Sequence, residues 1–347
     1  MRPKKVLVTG GSGFLGINLI RFLLRKGFKI RSLDIAPFDY PEKNKIEVIL
    51  GDVRDQRTVG QSVKGVDFVV HCAAALPLYS KEDVFSTDVG GTKAMLRAAL
   101  KHKIDRFVFI SSTAVYGVPD HHPIREDDKL VGVGPYGEAK IKAEKVCLSY
   151  GKKGLPVTIV RPKTFIGPER LGVFAMLYQW ADEARNFPII GRGNNRYQLL
   201  DVEDLCRFIY LCLISEKRKI KDTFNIGAKE FTSFKEDFQS VLDRAGYGKK
   251  IISFPAPLAI AVLKVLEFFK LSPLYQWVYE TAGKDSYVSV EKAERVLGFI
   301  PKYSNKQALS RNFDWYLKNR DTFSSVSGIS HRVPWKQGAL GLLKFFF

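Results

Sequence analysis

A chain of 347 residues exceeds the usual single domain and predicts two structural units, or one domain with a large appendage. Hydrophobic residues at 46% and charged residues at 26% match soluble globular proteins and exclude a disordered chain or a polytopic membrane protein. The net charge of +19, from 55 Lys and Arg against 36 Asp and Glu, suits a phosphate-bearing ligand or an anionic surface, but the basic residues are dispersed, and the one dense cluster, Lys217-Arg218-Lys219-Ile220-Lys221, lacks zinc-finger spacing and any aromatic RNA-binding signature, so no nucleic-acid partner is expected.

The chain opens with Met1-Arg2-Pro3-Lys4-Lys5 and a short apolar run that stops at Gly10, too short for the core of a signal peptide. Lys5 to Thr9 reads as a buried strand, followed by a Gly-rich turn and an apolar-periodic helix from about Phe14 to Arg25. Further short β-rich runs lie at Lys29 to Asp34, Ile46 to Leu50, Val66 to His71, Arg106 to Ile110 and Pro156 to Val160. Strands separated by helical patterns predict an α/β fold, a Rossmann-type doubly wound parallel sheet. After about Pro168 the rhythm turns irregular, which suggests a smaller, helix-rich substrate-binding part. The predicted division is therefore a nucleotide-binding domain over 1–168, to which 199–228 returns, a substrate-binding part over 169–320 and a tail over 321–347. Leu199 to Leu213 reads as a strand and helix of the main body.

The first turn, Thr9-Gly10-Gly11-Ser12-Gly13-Phe14-Leu15-Gly16, contains G-x-G-x-x-G directly after a strand and at a helix start. Glycines there permit a tight turn and let the backbone at Gly10, Gly13, Phe14, Leu15 and Gly16 approach a pyrophosphate, whose charge the helix N-terminus stabilises. Asp34 ends the second strand about 20 residues further on, where a carboxylate accepts hydrogen bonds from ribose hydroxyls and repels a 2′-phosphate, favouring NAD over NADP, although the nearby Arg31 acts in the other direction. Asp52 and Val53, after the third strand, are placed to meet the adenine.

Tyr136 and Lys140 stand four apart at the start of a helical stretch that runs to about Tyr150, so they share a face. An ammonium beside a phenol favours phenolate, which would lower the tyrosine pKa and make it an acid/base near neutral pH. The third element, Ser111-Ser112-Thr113-Ala114-Val115-Tyr116-Gly117, follows the fifth strand at its carboxyl end, where ligands of such sheets sit.

Together the TGxxGxxG turn, Asp34, SSxxxYG and YxxxK resemble the extended short-chain dehydrogenase/reductase family, the NAD-dependent epimerase/dehydratase group, over about residues 4 to 310. The resemblance implies NAD as cofactor, Ser112 as the catalytic hydroxyl, Tyr136 as the acid/base and Lys140 as its partner and a ligand of the nicotinamide ribose. It also implies Ala73, Ala74 and Pro162 near the cofactor, and Val202-Glu203-Asp204 matches a late signature. Three departures stand out. The family's Asn in N-V-x-G-T is Asp88 here, and the Asn expected three residues after Arg161 is Thr164, with Tyr197 and its neighbour Arg196 where a diphosphate-gripping Arg is expected. Dehydratases of the family carry a Glu two residues before the YG tyrosine, whereas this chain has Ala114.

Two functional classes follow for a small-molecule substrate contacted by Thr113, Thr164 and Arg196. The leading one is a nucleotide-sugar 4-epimerase that uses bound NAD; the second is a hydroxysteroid, sterol or lipid-linked dehydrogenase, to which Arg161-Pro162-Lys163-Thr164 is similar. A catalytically idle binding protein is the remaining alternative, opposed by the intact Ser112, Tyr136 and Lys140. His121 and His122 read as an exposed pair or as substrate contacts. No metal site is expected. Cys72, Cys147, Cys206 and Cys212 lack CxxC spacing and read as buried thiols in a reducing compartment. A homodimer in the cytoplasm is expected. The tail, with Trp335, Lys336, Lys344 and Phe345 to Phe347, reads either as a peripheral membrane anchor or as a packing element.

Overall fold

The computed structural model describes residues 3–77, 79–268, 279 and 282–322. Along the chain, β1 (Lys5–Thr9), β2 (Lys29–Asp34), β3 (Glu47–Leu50), β4 (Phe68–His71), β5 (Arg106–Ile110) and β6 (Val157–Pro162) alternate with α1 (Phe14–Arg25), α2 (Gln56–Val63), α3 (Lys81–Phe85), α4 (Thr92–Lys101) and α5 (Gly134–Lys152). Then come β7 (Thr164–Ile166), α6 (Phe174–Asp182), β8 (Phe187–Ile190), β9 (Leu199–Asp201), α7 (Val202–Ile214), α8 (Lys217–Ile220), β10 (Thr223–Ile226), α9 (Phe234–Ala245), β11 (Ile251–Phe254), α10 (Ala256–Phe268), α11 (Glu291–Leu297) and α12 (Asn305–Asn319). Two compact units result. The first holds the described residues up to Lys163 with Val202–Gly227 and Val288–Ile300; the second holds Thr164–Asp201, Ala228–Tyr287 and the described residues from Pro301 on. Three placements differ from the sequence reading: β7 and β9 belong to the second unit, and Val288–Ile300 belongs to the first. All depend on which strand or helix the segment packs against, which local pattern does not encode.

The first unit is a Rossmann-type sheet of seven strands in the order β10-β6-β5-β4-β1-β2-β3, parallel at every pairing. β1 and β4 are parallel neighbours from which the chain order proceeds to opposite edges, β1 to β2 and β3 on one side and β4 to β5 and β6 on the other, so the order reverses between them and opens a crevice past their carboxyl ends, where such sheets bind ligands. The central strands are apolar on both faces, as a sheet covered by helices on both sides requires: Val6, Leu7 and Val8 are fully buried, as are Val69 and Val70. One face packs Leu7, Val69, Phe107 and Ile159 against Val63, Met95, Leu96 and Ala143 of α2, α4 and α5. The last strand, β10, pairs with β6 from Thr223↔Ile159 to Ile226↔Pro162.

The second unit contains two parallel strand pairs, β7 with β9 and β8 with β11. Its core joins Ile166, Leu199 and Ile251 of those strands to Phe174, Leu177 and Tyr178 of α6, Val241 and Leu242 of α9, and Leu309 and Phe313 of α12. Two of these helices begin with reciprocal capping boxes, Ser233 with Glu236 and Ser304 with Gln307, so the orphan amides of their first turns are satisfied locally.

Among the described residues no helix is long and apolar enough to cross a membrane. The basic cluster 217–221 makes solvent-exposed ion pairs, Lys217 to Asp105 at 3.2 Å and Arg218 to Glu216 at 2.7 Å. Cys147, Cys206 and Cys212 are buried and Cys72 is half-buried. The tail beyond Thr322, with its membrane-anchor reading, lies outside the described residues.

Candidate active site

The nucleotide turn is built by close backbone approach. Gly10 has φ +68°, and a Cβ there would stand 2.9 Å from the Ala73 amide nitrogen, so the chain leaving β1 meets the chain leaving β4 without a side chain between them. At Gly16 a Cβ would lie 2.1 Å from the Gly10 carbonyl oxygen, which is why the third glycine is required for α1 to pack on the turn. Helix α1 starts at Phe14 after Gly13, with no side-chain cap and no acidic residue in its first turn. An uncapped N-terminus with its positive dipole end directed out of a glycine turn suits a pyrophosphate.

Asp34 closes this cradle. Its carboxylate accepts from the amides of Ser12 and Ala36, both at 2.9 Å, and so ties the end of β2 to the glycine turn. Burial raises its pKa and those amides hold it down. Two amide bonds leave acceptor capacity on a carboxylate for ribose hydroxyls, and the residues therefore fit the adenosine end of NAD. Arg31 points elsewhere: its guanidinium bonds Glu47 and the carbonyls of Ser62 and Lys64. Asp52 is engaged by Arg54 at 2.6 Å, which lowers its pKa, and Val53 packs in the core against Gly91. The half-buried Ala73 donates its amide to the Thr9 hydroxyl at 3.1 Å, and Ala74, also half-buried, follows it past the end of β4. Pro162 ends β6 beside Ile226.

The proposed catalytic side chains all lie in the first unit. Ser112 follows β5, and its hydroxyl accepts from the Ala114 amide at 3.1 Å, capping the tight turn Thr113–Tyr116. Tyr136 and Lys140 occupy the first turns of α5. The Lys140 side chain is 2% exposed, and its ammonium lies 5.6 Å from the Tyr136 ring centroid and 5.2 Å from that of Phe109 and donates to the Ile110 carbonyl at 3.3 Å. Burial raises the Tyr136 pKa, Lys140 lowers it, Asp88 raises it and a hydrogen bond with Ser112 lowers it, leaving it above the ordinary phenol value. The lysine effect expected from the four-residue spacing is present, but burial outweighs it.

A network that the sequence reading did not foresee holds this site in place. Arg161 on β6 forms a bidentate pair with Glu144 of α5, and Ser111 donates its hydroxyl to the same carboxylate. Arg161 also donates to the Tyr116 hydroxyl at 2.6 Å, which donates to Asn225 of β10 at 2.8 Å. Tyr116, the tyrosine of SSxxxYG, is thus a buried structural node whose pKa is pushed up to about 12, chiefly by burial. The sequence signal was available: Glu144 lies one helical turn after Lys140, and Ser111 precedes Ser112. Lys163, directly after Pro162, is buried, and burial brings its ammonium down to about 7.

The residues proposed to contact substrate divide between the units. Thr113 is in the first. Thr164 and Arg196 are in the second, where the Thr164 hydroxyl bonds that of Tyr197 at 2.8 Å and the Arg196 guanidinium sits 4.5 and 4.8 Å from the ring centroids of Tyr287 and Phe231. His121 is exposed between Asp120 and Asp128. Val202 opens α7, and the buried Asp204 pairs with Arg207 at 2.7 Å. Among the described residues no group of His, Cys, Asp and Glu could hold a metal ion.

Residues 6–227, the cradle and the Ser112-Tyr136-Lys140 set included, match the model of the NAD dependent epimerase/dehydratase family, and the chain belongs to that family, as an NAD-dependent enzyme of the extended short-chain dehydrogenase/reductase type. It is 35% identical over 347 residues to the uncharacterized protein y4nG of Sinorhizobium fredii, covering 99% of this chain and 86% of that one. It is 29% identical over 336 residues to a 3 beta-hydroxysteroid dehydrogenase/Delta 5-->4-isomerase of Mycobacterium tuberculosis, covering 90% of each chain. The fold is similar to that of UDP-glucose 4-epimerase from Thermotoga maritima, with a TM-score of 0.77, 21% identity, and 91% and 99% of the two chains covered.

Proposed function

We propose that the protein is a nucleotide-sugar 4-epimerase that works with bound NAD. The observation that carries this reading is the composition of the turn after β5: Ser112 offers a hydroxyl beside Tyr136 and Lys140, while the position where elimination would need a carboxylic acid is Ala114, whose amide donates to the Ser112 hydroxyl. Such a site can move a proton to and from a substrate oxygen and has no acid there for dehydration.

In this reading Ser112 holds the substrate hydroxyl and Tyr136 takes its proton. Lys140, fixed by the Ile110 carbonyl, stabilises the phenolate as it forms and supports the ribose. Bound NAD would supply the hydride chemistry at the sugar carbon, held there by the glycine turn, Asp34 and Lys140. The keto sugar turns over between the two transfers, Tyr136 returns its proton, and no cofactor is consumed. Thr113, Thr164 and Arg196 are the proposed substrate contacts.

A second reading, an NAD-dependent dehydrogenase of hydroxysteroids or other lipid alcohols, is favoured by Thr164 in place of the amide typical of sugar epimerases and by the 29% identity to the mycobacterial 3 beta-hydroxysteroid dehydrogenase. One assay separates the two. An epimerase interconverts UDP-glucose and UDP-galactose with no net NADH, whereas a dehydrogenase forms one NADH per product and leaves UDP-sugars unchanged. Stoichiometric NADH formation with a sterol, without sugar interconversion, overturns the first reading. The expectations of a homodimer and of a tail that binds anionic membranes stand beside either one; comparing the full chain with one ended after His331 in a liposome sedimentation assay tests the latter.

A further inference from the structure

Asp88 is the point at which this chain departs from its family's pattern inside the site itself. It lies on a single π-helical turn, Ser86–Gly91, between α3 and α4; such turns insert a residue into a helix and re-aim its side chains. The Asp88 side chain is fully buried, which raises its pKa, while the Lys140 ammonium and the Ala75 amide favour the carboxylate. One carboxylate oxygen accepts from the Ala75 amide at 2.9 Å, just past β4; the other accepts no hydrogen bond and lies 3.9 Å from the Lys140 ammonium.

We propose that Asp88 is a positioning residue of the proton-transfer machinery: its buried carboxylate, 3.9 Å from the Lys140 ammonium, is the fixed counter-ion of Lys140 and offsets part of the charge that Lys140 presents to the Tyr136 ring 5.6 Å away. This rests on the acid/base reading of Tyr136 and Lys140 and is independent of which substrate is bound. A buried ammonium without a counter-charge tends to lose its proton. At Lys140, burial works in that direction, Asp88 is the strongest influence against it and Tyr136 the next, so in Asp88→Asn the Tyr136 phenolate is the counter-charge that remains and the two groups ionise as a pair.

The other groups around the pair do not supply this charge. At the end of β4, His71 is buried between the hydroxyls of Thr9 and Thr92 and is neutral, its pKa brought down to about 3; Cys72 is held as a thiol, at about 12. On β5 the neighbours are the Phe109 ring and the Ile110 carbonyl. On α5, Glu144 is engaged by Arg161 and Ser111, and burial raises the Cys147 thiol. Glu138 and Lys142 of α5, Lys81 and Glu82 of α3 and Lys93 of α4 are exposed, and the partly exposed Asp83 faces Arg54. Asp88 is therefore the buried carboxylate that faces Lys140 among the described residues.

The test is a pH titration of phenolate ultraviolet absorbance in the full-length protein. Subtracting the curve of Tyr136→Phe from wild type isolates Tyr136; subtracting Asp88→Asn/Tyr136→Phe from Asp88→Asn isolates the same phenol without the carboxylate. Circular dichroism marks the range in which each protein stays folded. The expected result is that Tyr136 ionises about one pH unit lower in Asp88→Asn, the size of a unit charge acting over roughly 10 Å at an effective dielectric of about 20. Coincident curves, a shift to higher pH, or no Tyr136 ionisation by Asp88→Asn within its folded range overturns the proposal. Should Asp88→Asn not fold, Asp88→Ser, which can still accept from the Ala75 amide, is read by the same outcomes. No step needs substrate, so a protein inactive on UDP-sugars leaves the result standing. With an active substrate, the limb of the kcat profile assigned to Tyr136 moves down in pH by the same amount.

Discussion

Arg161 and Glu144 face each other inside the first unit through two parallel hydrogen bonds, Nε to Oε1 at 2.9 Å and Nη2 to Oε2 at 2.6 Å, with both side chains almost fully buried. The pair links β6 to α5, one helical turn beyond Lys140, and through Ser111 and Tyr116 it also braces the turn that carries Ser112. Removing one partner of a buried pair leaves an uncompensated charge, which costs roughly 3–5 kcal/mol. Glu144→Ala is therefore expected to lower the urea midpoint strongly, and Glu144→Gln less, because the amide can still accept from Arg161 and Ser111. Equal stability of wild type and Glu144→Ala would show that the site does not depend on this brace.

Tyr136→Phe is expected to reduce turnover on the order of 10²- to 10⁴-fold, the usual contribution of a positioned acid/base group. The ring stays beside Lys140, so NAD affinity measured by calorimetry should change little. Turnover at the wild-type rate would remove Tyr136 from the chemistry.

Asp34→Ala is expected to weaken NAD and narrow its advantage over NADP, because the carboxylate that accepts from the Ser12 and Ala36 amides is also the group that repels a 2′-phosphate. Arg31, tied to Glu47 at 2.7 Å, is not expected to rescue NADP binding by itself. Titration of both dinucleotides against both proteins reads this directly; a wild-type preference for NADP would contradict it.

His71 makes the fold sensitive to acid. Its pKa falls from 6.5 to about 3 on burial, with Lys140 adding to the effect, so between those values the unfolded chain binds a proton that the folded chain does not. Stability from this group is complete above about 6.5 and is lost as pH falls toward 3, with a slope of up to about 1.4 kcal/mol per pH unit. Urea unfolding of wild type and His71→Asn at neutral pH and near pH 4 should show a smaller acid loss in the variant, whatever its starting stability. Parallel losses would assign the acid sensitivity elsewhere.

Much of the catalytic unit is legible in the residues alone. The alternation of short apolar runs with periodic helices specifies the order β1 to β6, and strand ends such as Thr9 and Ile110 can be read directly because burial on both faces makes these two strands continuous apolar runs bounded by polar or glycine residues. The glycine turn and the Tyr136-Lys140 pair are legible for the same reason: both are local, one set by a backbone that tolerates no Cβ, the other by the helical repeat.

What tertiary structure decided was every relation that crosses many residues of chain. Asp88 meets Lys140 across 52 positions, Glu144 meets Arg161 across 17 and Tyr116 meets Asn225 across 109. Local pattern carries no information on such encounters, because they are fixed by which strands lie side by side. The net pKa of Tyr136 followed the same rule: helical spacing placed the lysine beside the phenol, but how deeply the pair is buried and where Asp88 falls were set only when the sheet and its helices closed around them.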